Sequence, residues 1–334
     1  GTDYAEQAGL AFRAPLLDRF DIVGFDPRGT GDSAPIDCLG DAELDAYLAS
    51  DPDPDTPEEQ ADLVRWSSEL GRGCVERSGA LAGHVSTVEA ARDLDVLRAA
   101  LGESALTYFG ASYGTKLGAT YADLFPDRVG RLVLDGAVDP SLGSRELSLG
   151  QAEGFEVALR AYLADCVESS DDCFLGDTVE EGLATVRGLL DRVDEQPLPT
   201  GGERDLAVGN AFYGIVAPLY NRDYWFLLSR ALQQGLGGDG SLLLELSDLY
   251  SSRGPDGYLD NSSEAIWAIN CLDDPWAVPA SAVPAQYADF EAASPTFGRV
   301  FAWGLTACEG LQVRPAESPP VIDAPGAAPI LVIG

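Results

Sequence analysis

Gly110-Ala111-Ser112-Tyr113-Gly114 carries the hydroxyl best placed for chemistry in this sequence. A serine hydroxyl is a weak nucleophile until geometry and a neighbouring base activate it. Gly-x-Ser-x-Gly supplies the geometry when it joins a strand to a helix. The glycines let the backbone crowd, the serine projects from the turn, and the helix start aims free N–H groups and its positive dipole end at the reacting oxygen. Leu106-Thr107-Tyr108-Phe109 reads as a short buried strand, and Lys116 to Phe125 reads as a helix that stops at Pro126. That context makes Ser112 the expected nucleophile and the Tyr113 N–H an oxyanion donor. The plain alternative is a glycine-rich turn with an incidental serine.

A serine nucleophile needs a base, and His84 is the sole histidine of the 334 residues. It precedes Ser112, whereas scaffolds with this turn run serine, acid, histidine along the chain. His84 is therefore expected to pack or cap. One histidine and no Cys-x-x-Cys pair leave no zinc cluster to build, so neither metal nor cofactor is expected. The six cysteines favour disulfides and an oxidising compartment, hence a secreted or cell-envelope protein. Of the fifteen pairings that six allow, the nearest-neighbour set is expected: Cys38–Cys74, Cys166–Cys173 (closing the polar loop Val167–Asp172) and Cys271–Cys308.

The formal charge of −34, from 55 acidic against 21 basic residues, argues against nucleic acid as a partner. No apolar run reaches the length of a membrane span. Oligomeric state is not legible. The chain begins on Gly1 and contains no methionine, so a processed or truncated piece is expected.

These residues need elements to position them. Tyr4–Leu17 reads as a helix, Phe20–Phe25 as a buried strand, and Asp26–Ser33 as a tight loop. In that loop Arg28 is expected to brace Asp26 or Asp32. Residues 38–85 look helical and loop-rich. Thr87 looks like the N-cap of a helix over Val88–Leu101, with Val88, Ala91, Leu94, Leu97 and Leu101 on one face. Arg131–Gly136 reads as another strand, and Asp135 at its end receives no role. From about Ser141 to Pro320 the pattern is amphipathic helix punctuated by glycine and proline, and strand character returns at Ala328–Ile333. Trp225, Trp267, Trp276 and Trp303 fall in the helical stretch and suit core more than pocket. Asn261-Ser262-Ser263 matches a glycosylation pattern, a weak signal. Strand–helix alternation around a long helical insertion predicts an α/β sheet carrying a cap.

Phe20–Ser33, Asp93–Arg98, Gly110–Thr115 and Leu134–Pro140 together resemble the α/β-hydrolase fold. Within it, the chain resembles the secreted tripeptidyl-aminopeptidase and prolyl-aminopeptidase-like serine peptidases of actinobacteria. The resemblance implies a mostly parallel, doubly wound sheet with a large helical cap. The units are a core at 1–140 lacking its first strands, a cap at 141–320, and a return strand at 321–334. It implies hydrolysis near a free peptide N-terminus by a Ser-Asp-His triad, with Ser112 as nucleophile and Tyr113 N–H as oxyanion donor. An esterase or other hydrolase on the same fold, or a non-catalytic peptide binder, is the alternative.

An exopeptidase must recognise a protonated amine, which a buried carboxylate does well. Asp273, in a Cys-x-Asp stretch like that of the family's cap, is the first candidate anchor, and Glu264 the second.

By the same resemblance the triad acid and histidine lie beyond Gly334, and a strand belongs between 20–25 and 105–109. The isolated chain is therefore expected to be an incompetent hydrolase that folds poorly. The rival expectation is that those two strands pair directly.

Overall fold

The computed structural model describes residues 1–169, 173–315 and 321–334. Part of the Val167–Asp172 loop and the 320/321 boundary lie outside them.

A three-stranded parallel sheet in the order β1-β2-β5 carries the site, with β1 at Leu106–Ala111, β2 at Val129–Asp135 and β5 at Leu331–Ile333. Gly110 lies opposite Leu134, and Val133 opposite Leu331. Parallel neighbours need crossovers. Helix α7 (Tyr113–Leu124) makes the first, and a long helical segment makes the second.

Before the sheet come α1 (Thr2–Glu6), α2 (Ala8–Ala11), α3 (Ala14–Leu17), α4 (Asp41–Ala49), α5 (Pro57–Ser78) and α6 (Thr87–Ala100). Between β2 and β5 lie α8 (Ser144–Ser169), α9 (Val179–Glu195), α10 (Val208–Val216), α11 (Trp225–Leu236) and α12 (Ser241–Tyr250). The hairpin β3 (Arg253–Gly254) and β4 (Gly257–Tyr258) follows, then α13 (Ser262–Asp273), α14 (Tyr287–Ala293) and α15 (Gly298–Gly304).

The core behind the site is built from Ala90, Ala91 and Leu94 of α6, Leu106 of β1, Leu117 and Tyr121 of α7, and Val129 and Leu132 of β2. Helices α8 to α12 bury a larger cluster of their own, including Leu159, Leu163, Val186, Ile215, Leu228 and Leu243.

The structure corrects several expectations. Residues 20–25 form no strand, and Phe20 and Val23 are exposed. A strand exists only against a neighbour, and no ladder is made there, either with β1 or with another described segment. The Tyr4 and Phe12 rings pack on Phe109 of β1, at centroid distances of 6.3 and 5.4 Å. The expected helix over 4–17 is broken into three short ones, with Pro15 in the first turn of the last. Ser86, not Thr87, caps α6, its hydroxyl accepting the Glu89 N–H. Helix α7 starts at Tyr113 rather than Lys116, so it meets the serine directly.

Candidate active site

Ser112 sits between β1 and α7 with φ 51° and ψ −120°, a conformation that costs a residue with a Cβ. Four contacts hold it there. The Ser112 N–H donates to the Asp135 carbonyl at 2.9 Å, extending the β1–β2 ladder by one bond. The Ser112 carbonyl accepts the Thr115 N–H at 2.8 Å and the Thr115 hydroxyl at 2.6 Å. The Tyr108 hydroxyl donates to the Gly114 carbonyl at 2.8 Å. Glycine is required at 110, where a Cβ would lie 2.3 Å from the Gly114 carbonyl oxygen. The Ser112 side chain is exposed, and its hydroxyl has no partner among the described residues. Tyr113 opens α7, so no helical carbonyl can reach its N–H.

A polar junction lies beside this turn. Lys116, one helical turn on, places Nζ 2.7 Å from Asp273 Oδ2 at the end of α13. Asp273 also accepts the Thr87 N–H at 2.8 Å and the Thr87 hydroxyl at 2.5 Å. Thr87 Oγ1 is 2.8 Å from the Tyr113 hydroxyl. A carboxylate only accepts, so the single Thr87 proton goes to Asp273 and Tyr113 must donate to Thr87. Burial raises the Tyr113 phenol above its ordinary value, which keeps that donor protonated.

Both carboxylates considered as amine anchors are therefore engaged within the protein. Asp273 is buried between Lys116 and Thr87. Glu264 is buried and accepts the N–H groups of Cys38 and Leu39 at 2.7 and 2.8 Å. Burial pushes the Glu264 carboxyl upward, while those two N–H groups oppose the shift. The structure does not bring His84 to Ser112. The imidazole Nδ1 lies 2.9 Å from Glu89, and the side chain is half exposed.

Arg28 braces α6 rather than its own loop, with Nε and Nη2 each 2.6 Å from the Asp93 carboxylate. The spacing of 65 residues hid that partner from any local reading. Asn261 is spent internally: its Nδ2 donates to the Gly29 and Ile36 carbonyls, and its Oδ1 accepts the Gly31 N–H. Trp267 and Trp303 are buried and donate to Ala307 O and the Tyr287 hydroxyl, while Trp276 is exposed. Disulfides join Cys38 to Cys74, Cys166 to Cys173 and Cys271 to Cys308.

Away from the turn, a cavity of about 470 Å³ opens between the 51–55 loop, α9 and α15. Burial raises the Asp53 carboxyl to about 7, with Arg299 opposing and Asp51 and Asp55 reinforcing. Asp51 rises to about 6, chiefly by burial, with Asp194, Glu59 and Asp55 adding repulsion. Arg299 Nε is 3.0 Å from Asp53 Oδ1, near enough for an ion pair but not aligned for a hydrogen bond. Oxygens of Asp51, Glu59 and Asp194 lie within 4.8 Å of one another, the spacing a cation needs. Carboxylates crowd in this way without any ion; burial is the first cause of the upward shifts of Asp51 and Asp194, with repulsion adding to it, while hydrogen bonds at Thr56 lower Glu59.

Ser112 is thus a strained serine at a strand–helix turn on a parallel sheet, with the free Tyr113 N–H at the helix start. Residues 5–280 match the model of the alpha/beta hydrolase fold. The chain belongs to the α/β-hydrolase family.

Among its relatives, the chain is 36% identical over 329 residues to the "Serine protease Hip1" of Mycobacterium tuberculosis, covering 95% of this chain and 63% of that protein. It is 35% identical over 284 residues to the "Tripeptidyl aminopeptidase" of Streptomyces lividans, covering 80% of this chain and 52% of the other. It is 35% identical over 276 residues to a "Carboxylesterase B" of Mycobacterium tuberculosis, covering 81% and 53%. The chain thus spans between about half and two thirds of the length of these relatives.

Thr87, Lys116 and Thr115 are the contributors to the site that sequence reading missed. Thr115 follows the serine motif directly, and Lys116 is the lone lysine, but nothing local announces what either would touch.

Proposed function

We propose that this hydrolase acts through an acyl-enzyme on Ser112, with the Tyr113 N–H stabilising the oxyanion. The observation that carries this is the exposed, strained Ser112 held at the β1–α7 turn. In the first step the Ser112 Oγ bonds to the substrate carbonyl carbon and its proton passes to a base. The carbonyl π pair moves to oxygen beside the Tyr113 N–H, then returns as the leaving amine or alkoxide departs with a proton. Among the described residues Ser112 meets no imidazole, and His84 is paired with Glu89, so this reading assigns the role of base to no described residue.

The relatives named serine protease and tripeptidyl aminopeptidase favour an exopeptidase that acts on free peptide N-termini. The helices between β2 and β5 would then cap the site. In this reading Asp273 anchors the substrate ammonium by letting it replace that of Lys116, and Glu264 is the lesser candidate. The relative named carboxylesterase B supports an ester substrate as the second reading. Three disulfides that pair all six cysteines favour an extracytoplasmic location. No described helix is long and apolar enough to cross a membrane.

The test is labelling of the complete protein with a fluorophosphonate, followed by turnover of a tripeptidyl amide and of a short-chain ester. Loss of label in Ser112→Ala and preference for the amide are expected. Undiminished labelling of Ser112→Ala would overturn the nucleophile, and faster ester turnover would favour the second reading.

A further inference from the structure

The Ser112 carbonyl and the Tyr113 N–H belong to one peptide group. In a planar trans peptide they point in opposite directions, so whatever holds the carbonyl also aims the N–H. The carbonyl has two donors, the Thr115 N–H at 2.8 Å and the Thr115 hydroxyl at 2.6 Å. The N–H contact comes with the helix start, whereas the hydroxyl is a choice made by the side chain. That hydroxyl also accepts the Val138 N–H at 3.0 Å, which ties it to the loop leaving β2. Its one proton is then committed to Ser112, and its oxygen to Val138. Thr115 is 1% exposed, so water cannot take over either bond. The preceding peptide is held separately, by the Ser112 N–H on Asp135.

We infer that Thr115 is a positioning residue for catalysis: its buried hydroxyl locks the Ser112–Tyr113 peptide so that the Tyr113 N–H faces the developing oxyanion. A donor stabilises charge only if it is already oriented when the charge forms, because reorientation during the reaction costs part of what it contributes. The Ser112 backbone is strained, so this peptide has a lower-energy orientation to relax into when the hydroxyl is removed. From the other side the Tyr113 ring is fixed through Thr87 to Asp273, which limits relaxation to the peptide itself. The inference rests on the reading of Ser112 as nucleophile.

The experiment compares Thr115→Val and Thr115→Ser with wild type in the complete protein, using a short-chain ester well below each variant's melting temperature. Valine keeps the shape and removes the hydroxyl, whereas serine keeps the hydroxyl and removes a methyl. Thr115→Val should lower kcat about tenfold with KM within about twofold, since an oxyanion donor acts in the transition state. Thr115→Ser should recover most of that loss. A purely structural role would move melting temperature and leave kcat of the folded fraction in place. Turnover by Thr115→Val within about twofold of wild type, or an equal kcat loss in Thr115→Ser, would overturn the inference. Ser112→Ala separates the two readings. If it retains turnover, both fall, and if it is dead while Thr115→Val is not slowed, only the role of Thr115 falls.

Discussion

Lys116 on α7 and Asp273 at the end of α13 form an ion pair at 2.7 Å, with the carboxylate 6% exposed. The partners lie 157 residues apart, so the pair fastens the helical segment to the turn that holds Ser112. Asp273→Ala removes the acceptor of the Thr87 N–H and hydroxyl as well as the counter-ion of Lys116. A loss of about 2–4 kcal/mol is expected, read as a shift in denaturant midpoint at constant slope. An unchanged midpoint would show that the junction contributes nothing to stability.

Substrate recognition by the same carboxylate has its own test. If an ammonium displaces Lys116, Asp273→Asn should shrink the preference for a free-amine peptide over its N-blocked form by roughly tenfold. Equal preference in variant and wild type would send the search for the anchor elsewhere.

Ser112 occupies φ 51°, ψ −120°, which glycine adopts freely and alanine does not. Ser112→Gly should therefore be more stable than Ser112→Ala by about 1 kcal/mol, although neither can be acylated. Thermal melts of the two variants, run side by side, measure the strain stored at position 112.

Asp53 and Asp51 have folded-state values of about 7 and about 6, both raised, with burial as the first cause. A carboxyl that holds its proton more tightly when folded contributes stability at low pH. That contribution fades as pH rises through the folded value. The window runs from the ordinary carboxylate range up to about 7. At about pH 8 the variant Asp51→Asn/Asp53→Asn should melt higher than wild type, and near pH 4 the gap should close. Melting curves across that range check it, and a gap independent of pH would contradict the assignment.

The Cys271–Cys308 bridge ties α13 to the 3₁₀ turn at Ala307–Gly310 across 37 residues. Replacing both cysteines by alanine should cost about 2–4 kcal/mol by widening the unfolded ensemble. Chemical denaturation of the double variant measures the loss.

Much of this protein is legible in its sequence. Ser112 stood out because Gly-x-Ser-x-Gly, an apolar strand before it and a helix after it are all local features, and local backbone preference and periodicity are written in adjacent residues. The parallel sheet and the helical stretch between β2 and β5 followed from the same kind of pattern. What failed locally was Phe20–Phe25, apolar enough for a strand but left without a neighbour, because a strand is a property of two segments and not of one. Charge partners were hidden for the same reason. Arg28 reached Asp93 rather than Asp26 or Asp32, and Lys116 reached Asp273, since Coulomb and hydrogen-bond energies depend on separation in space and carry no mark in the chain. The engagement of Asp273 and Glu264, and the grip of Thr115 on the Ser112 peptide, were decided only when the folded chain brought those groups within 3 Å of their partners.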